Sequence, residues 1–226
     1  MTEAPSNSVN ALSAPFPWQG AQWAQLGRAF AASQLAHAYL LCGREGLGKS
    51  LFADSFARYV LCMKPIDQSA VGGLVDVAIA CGTCSNCLKC GTGNHPDILT
   101  IEPEEGSKNI KIDQIRWLSE FVIRSSHSGG AKVVIIQGAH LLNANAANAL
   151  LKTLEEPNGN THVFLVSDHP GRLVATIRSR CQKLAFQVPD ADVAASWLQA
   201  IIGEGNVNSI LEASDMRPLI ALQLAE

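Results

Sequence analysis

Two groups of residues in this chain have types and spacing suited to chemistry. The first is Gly43-Arg44-Glu45-Gly46-Leu47-Gly48-Lys49-Ser50, which matches the phosphate-binding loop pattern at every fixed position. Glycines let such a loop wrap with its N–H groups turned inward, and a helix N-terminus behind it adds positive potential. Gly43, Gly46 and Gly48 would shape the loop, Lys49 would reach the β- and γ-phosphates, and Ser50 would ligate Mg²⁺. The plainer alternative is a glycine turn carrying a solvated lysine.

The second group is Cys81-Gly-Thr-Cys84-Ser-Asn-Cys87-Leu-Lys-Cys90. Cysteines clustered at Cys-x-x-Cys spacing in a chain without secretory features read as a metal site before a disulfide framework. If this run were helical, each three-residue step would turn 300°, and Cys90 would face away from Cys81. Three cysteines of the run plus a remote one close a tetrahedron more easily, and Cys62 is the candidate. An iron–sulfur cluster fits less well, because its usual bacterial run has an x3 gap and a proline after the fourth cysteine. Free buried thiols are the remaining alternative.

The surrounding elements must position these groups. Ala38 to Cys42 is a compact apolar run that predicts a buried strand leading into the glycine loop, and Leu51 to Leu61 predicts the helix that leaves it. Phe52, Phe56, Tyr59 and Val60 form that helix's apolar face. Further strands are predicted at Ile98 to Ile101, Val133 to Ile136, Val163 to Val166 and, more weakly, Lys183 to Phe186. Helices are predicted over Gln22 to Ser33, after Asp113 as N-cap, and from Asn145 to Glu156 with a stop at Pro157. Strands alternating with helices define an α/β fold with a mainly parallel sheet and helices on both faces. After Val188-Pro189-Asp190 only helical patterning remains, which predicts a small all-helical domain over 188–226. Residues 1–15, rich in Ser, Asn, Ala and Pro, read as a mobile tail.

Composition narrows the function classes. The 226 residues are 47% hydrophobic and 16% charged with net charge −3, a globular profile. A general DNA-coating protein would be strongly basic, and no aromatic-basic interleave suggests a zinc-dependent nucleic-acid module. No apolar run approaches membrane-spanning length and Met1 to Trp18 lacks the features of a secretory signal, which points to the cytoplasm.

An ATPase also needs an acid at the end of a neighbouring strand to hold Mg²⁺, and usually a glutamate to orient water. The best candidate strand, Val133 to Ile136, is followed by Gln137-Gly138-Ala139-His140. Gln137 brings no negative charge, Gly138 has no side chain, and His140 suits packing or hydrogen bonding at the strand end.

With these segments stand Asn94-His95-Pro96-Asp97, Ala147 to Pro157 (ANALLKTLEEP) and Ile177-Arg178-Ser179-Arg180-Cys181. From about Phe16 to the end, the set resembles the AAA+ subunits of bacterial DNA polymerase III clamp loaders, most of all their delta-prime branch. Gamma and tau subunits of that family keep an acidic Walker B pair, which this chain lacks. The resemblance implies a P-loop AAA+ domain over 16–187 with a zinc module at about 62–95, a helical lid, and a further collar domain beyond residue 226. It implies structural zinc on Cys62, Cys81, Cys84 and Cys87, with Cys90 spare. The missing acids at Gln137 and Gly138 predict ATP or ADP binding that is weak or absent. The resemblance implies that Arg180 acts in trans on a neighbour's γ-phosphate, that Ser167 faces a γ-phosphate, and that Arg217 is a second nucleotide sensor. Glu155 and Glu156 would lie near a subunit interface. The implied partners are delta and gamma/tau subunits in a hetero-oligomeric ring, with the sliding clamp and primer-template DNA reached through the complex and no membrane. The alternative function is an ATP-hydrolysing motor subunit of the same complex.

Overall fold

A computed structural model describes residues 14–67, 78–156, 159–203 and 205–226. Most of the N-terminal tail and the predicted helix stop at Pro157 lie outside the described residues. Five parallel strands form the central sheet: β1 (Ala38–Cys42), β4 (Ile98–Ile101), β5 (Lys132–Ile136), β6 (Thr161–Ser167) and β7 (Gln182–Ala185). Their order across the sheet is β4-β5-β6-β1-β7. Every residue of β1, β5 and β6 is buried, as a sheet covered on both faces requires.

Strand alternation splits the core in two. Tyr39, Leu41, Val133, Ile135 and Phe164 face one layer, packed by α1 (Gly20–Ala31) and α2 (Lys49–Leu61). Trp23 of α1 meets Phe52 and Phe56 of α2 edge-on at 5.5 and 5.3 Å between ring centroids. Leu40, Val134, Ile136 and Leu165 face the other layer, packed by α4 (Ile112–Ile123), α5 (Ala144–Glu155) and α6 (Ala175–Arg178). The two-residue period of the pleat puts adjacent residues of one strand into different layers.

Between α2 and β4 lie a short hairpin, β2 (Ile66–Asp67) and β3 (Ala78–Ile79), which pair antiparallel, and α3 (Ser85–Gly91). Three C-terminal helices, α7 (Ala191–Ile202), α8 (Val207–Ala213) and α9 (Pro218–Ala225), share a small core of Ala194, Leu198, Val207, Leu211 and Ala221.

Two sequence expectations are corrected. Asp113 is not the N-cap of α4. Lys111 takes that position, because Ile110 is held extended by backbone bonds to Leu141 and Asn143, and the helix begins directly after it. Asp113 falls in the first turn, pairs with Arg116 at 2.8 Å, and favours the positive end of the helix dipole. The strand ending before Gln137 is also not the neighbour of the P-loop strand, since β6 pairs with both β1 and β5 and lies between them.

Candidate functional site

The P-loop runs from the end of β1 into α2, and a close backbone approach and a left-handed turn explain two of its glycines. A Cβ on Gly43 would lie 2.3 Å from the Phe186 carbonyl oxygen, a backbone contact that cannot move aside. Gly48 precedes α2 with φ +78°, a left-handed value that costs a side-chain-bearing residue roughly 1 kcal/mol or more.

The loop is engaged by groups of its own chain. Lys49, buried although cationic, makes a 2.6 Å ion pair with Asp168 and donates a 2.6 Å hydrogen bond to the Arg44 carbonyl. Two of its three N–H donors are therefore used. Ser50 Oγ donates to Gln137 Oε1 at 2.6 Å, so the candidate Mg²⁺ ligand is turned to a neutral amide. Trp18 Nε1 and Gln19 Nε2 donate to the Leu47 carbonyl at 3.1 and 2.9 Å, and Gln19 also reaches the Gly48 carbonyl at 3.1 Å. The Phe16 ring covers Gly48, and Ile220 with Arg217 covers Gly46. The Leu219 amide donates to the Gly46 carbonyl at 3.1 Å. A cavity of about 250 Å³ remains, with Glu45, Lys49, Asp168 and Gln223 in its wall. That lies below the ~300–1,000 Å³ usual for small-molecule sites.

The other residues singled out in the sequence fall as follows. Ser167 is fully buried at the end of β6 and shares a 3.3 Å hydrogen bond with His140 Nδ1. Burial lowers the pKa of His140, so its ring is neutral near pH 7. Arg217 stands at the N-terminal end of α9 and donates from Nε to the Ser214 carbonyl at 2.8 Å. Arg180 follows α6. Its Nη2 makes a 2.6 Å ion pair with Glu155 at the end of α5, and its Nη1 donates to the Thr176 carbonyl at 2.9 Å. The side chain keeps 35% of its surface exposed, with guanidinium donors left over. Asp97 is buried and accepts the His127 and Ser128 amides at 2.7 and 2.9 Å. Burial alone would raise its pKa, but a Ser128 side-chain hydrogen bond, these two amides and the nearby His95 together outweigh it and hold the carboxyl below its usual range. Asp97 thus anchors the glycine-containing turn before β5.

Sequence reasoning missed Asp168. Its signal was available, an acid directly after a buried strand that ends beside the loop, but Ser167 drew the attention. It also missed the Phe16-Pro17-Trp18-Gln19 brace, which a paired-aromatic segment just ahead of α1 could have suggested.

The sulfurs of Cys62, Cys81, Cys84 and Cys87 all lie within 4.8 Å of one another. Four thiolates at ~2.3 Å from a central ion stand about 3.8 Å apart. The Cys62–Cys84 and Cys81–Cys87 separations are 4.0 and 3.9 Å, so the donor set fits a tetrahedral metal ion. Cys62 follows the last turn of α2, Cys81 lies in the loop after β3, Cys84 is the N-cap of α3, and Cys87 is inside α3. The amides of Cys81, Cys84 and Cys87 donate to the sulfurs of Cys62, Cys81 and Cys84 at 3.3, 3.3 and 3.5 Å. Amide bonds from Thr83 and Cys84 bring the Cys81 thiol down to about 6, a value at which thiolate prevails at neutral pH. Cys90 stands outside the cluster, and burial pushes its thiol up to about 11.

The sheet order and the strand–loop–helix P-loop motif define a P-loop fold of the AAA+ class. Comparison with known proteins agrees. A gamma-subunit-related DNA polymerase III protein of Thermotoga maritima superposes with TM-score 0.54 at 22% identity, covering 90% of this chain and 57% of that one. The Thermotoga maritima RuvB Holliday junction branch migration motor gives TM-score 0.56 at 15% identity, covering 98% and 60%. A family model described as "DNA polymerase III, delta subunit" matches residues 18–190. The DNA polymerase III subunit delta′ of Pseudomonas aeruginosa is 42% identical over 212 residues, 92% of this chain and 61% of that protein. The chain belongs to the DNA polymerase III delta-prime family. It spans about three-fifths of the length of that relative.

Proposed function

We propose that this chain is the AAA+ part of a clamp-loader subunit in DNA replication, one that does not hydrolyse ATP and that lends Arg180 to a nucleotide held by a neighbouring subunit. One observation carries the reading: the P-loop is satisfied from within, Lys49 by Asp168 and Ser50 by Gln137. A charged lysine already paired in a buried site gives up that pairing before it meets phosphate, and an amide oxygen supplies no charge to Mg²⁺. ATP or ADP would therefore bind weakly or not at all, and Ser167 and Arg217 would support the loop and the lid rather than a bound γ-phosphate. Arg180 is suited to the trans role because the guanidinium is a permanently charged planar fork, held on one edge by Glu155 and Thr176 and open on the other.

The four cysteines would hold structural zinc, since a closed thiolate site leaves no open position for catalysis. The ion would tie the end of α2 to α3 and the loop before it. The organisation we propose is the AAA+ domain to about residue 187, zinc module included, followed by the helical lid. Its partners would be delta and gamma/tau subunits in a ring that acts on the sliding clamp and primer-template DNA in the cytoplasm. No described helix is long and apolar enough to cross a membrane. The test is a pair of assays. The isolated chain should turn over ATP at background rate. Arg180→Ala in the full-length protein should assemble normally but slow ATP hydrolysis or clamp loading by the reconstituted complex. ATPase activity of the chain that disappears in Lys49→Ala refutes the non-hydrolysing reading and supports a motor subunit.

A further inference from the structure

A second cavity, about 500 Å³, lies between α2, α3, α4 and β4 and shares no wall residue with the P-loop cavity. Its volume falls within the range of small-molecule sites. Two buried donors in its wall lack acceptors among the described residues. Arg58 of α2 is 8% exposed, and its Nε is fully buried with no hydrogen-bond partner among the described residues. His95 is 4% exposed; its Nδ1 accepts the Asp97 amide at 3.1 Å. In the neutral ring this leaves the proton on Nε2, which is buried and without a partner among the described residues. A buried N–H without an acceptor is unfavourable, because it has lost its water and gained no hydrogen bond, so the Arg58 Nε and His95 Nε2 donors call for an acceptor. Trp117 of α4 also lines the cavity with 54% of its surface exposed, an open aromatic face in its wall.

We propose that this cavity binds a small planar molecule bearing a carboxylate or phosphate, the oxyanion held by Arg58 and His95 Nε2 and the ring stacked on Trp117. Asp54, one turn before Arg58 and in the same wall, turns away a bare dianion and favours a singly charged head. No bond is made or broken. The site is a binding site only, separate from the P-loop and from the four-cysteine cluster.

Calorimetric titration of the purified chain with benzoate, adenosine monophosphate and inorganic phosphate tests it. Benzoate should bind saturably and at least as tightly as adenosine monophosphate, and inorganic phosphate most weakly. The same binding should persist in Lys49→Ala. Arg58→Gln should weaken it tenfold or more, the loss expected when hydrogen bonds to a charged group are removed. Trp117→Ala, at a half-exposed position that does not threaten the fold, should weaken the two aromatic probes severalfold and leave inorganic phosphate unchanged. Thr100→Phe, which fills the cavity from β4, should abolish binding and serves if Arg58→Gln fails to fold. The proposal is overturned if no probe binds at millimolar concentration, if Lys49→Ala removes the binding, or if Arg58→Gln or Thr100→Phe leaves it intact. Tighter binding of adenosine monophosphate that survives Trp117→Ala also overturns it, because the ring would then not be where it is placed here.

Discussion

Asp168→Asn tests whether the P-loop lysine is held in reserve by its own chain. The change keeps the shape of the side chain and removes its charge. The Lys49 side chain is 3% exposed and that of Asp168 is 32% exposed. Breaking a fully buried ion pair destabilises by ~3–5 kcal/mol, whereas exposed pairs contribute ~0.2–1 kcal/mol. With one end buried and the other a third open, about 2 kcal/mol is expected, because Lys49 keeps its charge and its bond to the Arg44 carbonyl. For a domain of this size each kcal/mol moves the thermal midpoint by ~2–4 °C, so the variant should melt about 4–8 °C lower. Phosphate should then find a free ammonium group. At a ligand concentration near 100 times its dissociation constant, binding returns ~2.7 kcal/mol, enough to restore the wild-type midpoint. The assay is thermal unfolding with and without millimolar Mg-ATP or tripolyphosphate. The wild type should respond weakly and the variant strongly. Equal stability of the two proteins, or an equal response to ATP, would show that Asp168 does not compete with phosphate.

Elemental analysis of the purified chain should find about one zinc; Cys62→Ser should lose it, and Cys90→Ser should keep it, while the reverse pattern moves the ligand set into the local run. Arg180→Ala should lower the thermal midpoint by no more than about 4 °C, since its pair with Glu155 is half-exposed and such pairs contribute ~0.2–1 kcal/mol; a large unfolding effect would make Arg180 a structural residue. Burial pushes the Asp54 carboxyl up to about 6 against the pull of Arg58, with Glu102 adding to the rise. The folded chain then binds this proton more tightly than the unfolded chain, so the group's contribution is complete below about pH 4 and is lost as the pH rises through about 6. Asp54→Asn should remove that loss, gaining on the wild type by on the order of 2 kcal/mol between pH 4 and 7 in denaturant titrations; parallel pH profiles would contradict it.

Local physical chemistry made much of this molecule legible before any coordinates. Ala38 to Cys42 and Val133 to Ile136 are too uniformly apolar to be anything but strands buried on both faces, and both lie in the sheet. The P-loop is legible because its glycines and its Lys49-Ser50 pair fall at fixed spacing within eight residues, although the groups that crowd those glycines, Phe186, Ile220 and Phe16, are brought there by the fold. The cysteine run reads as a candidate metal site by its spacing, because steps of three residues limit which sulfurs can converge, and the fold brings Cys62 to three of them. Gln137 and Gly138 were readable as missing charges, since the residue type alone carries that information. What the tertiary structure decided is what those groups face. Asp168 meets Lys49 across 119 positions of sequence, and Gln137 meets Ser50 across 87. Arg180 meets Glu155 only because α5 ends beside α6. Strand order put β6 between β1 and β5, which no strand's own composition could reveal because all three are buried along their whole length. Spacing and residue type act over a turn or two of chain, whereas the partner of a charge is chosen by packing, and packing joined the ends of strands far apart in sequence.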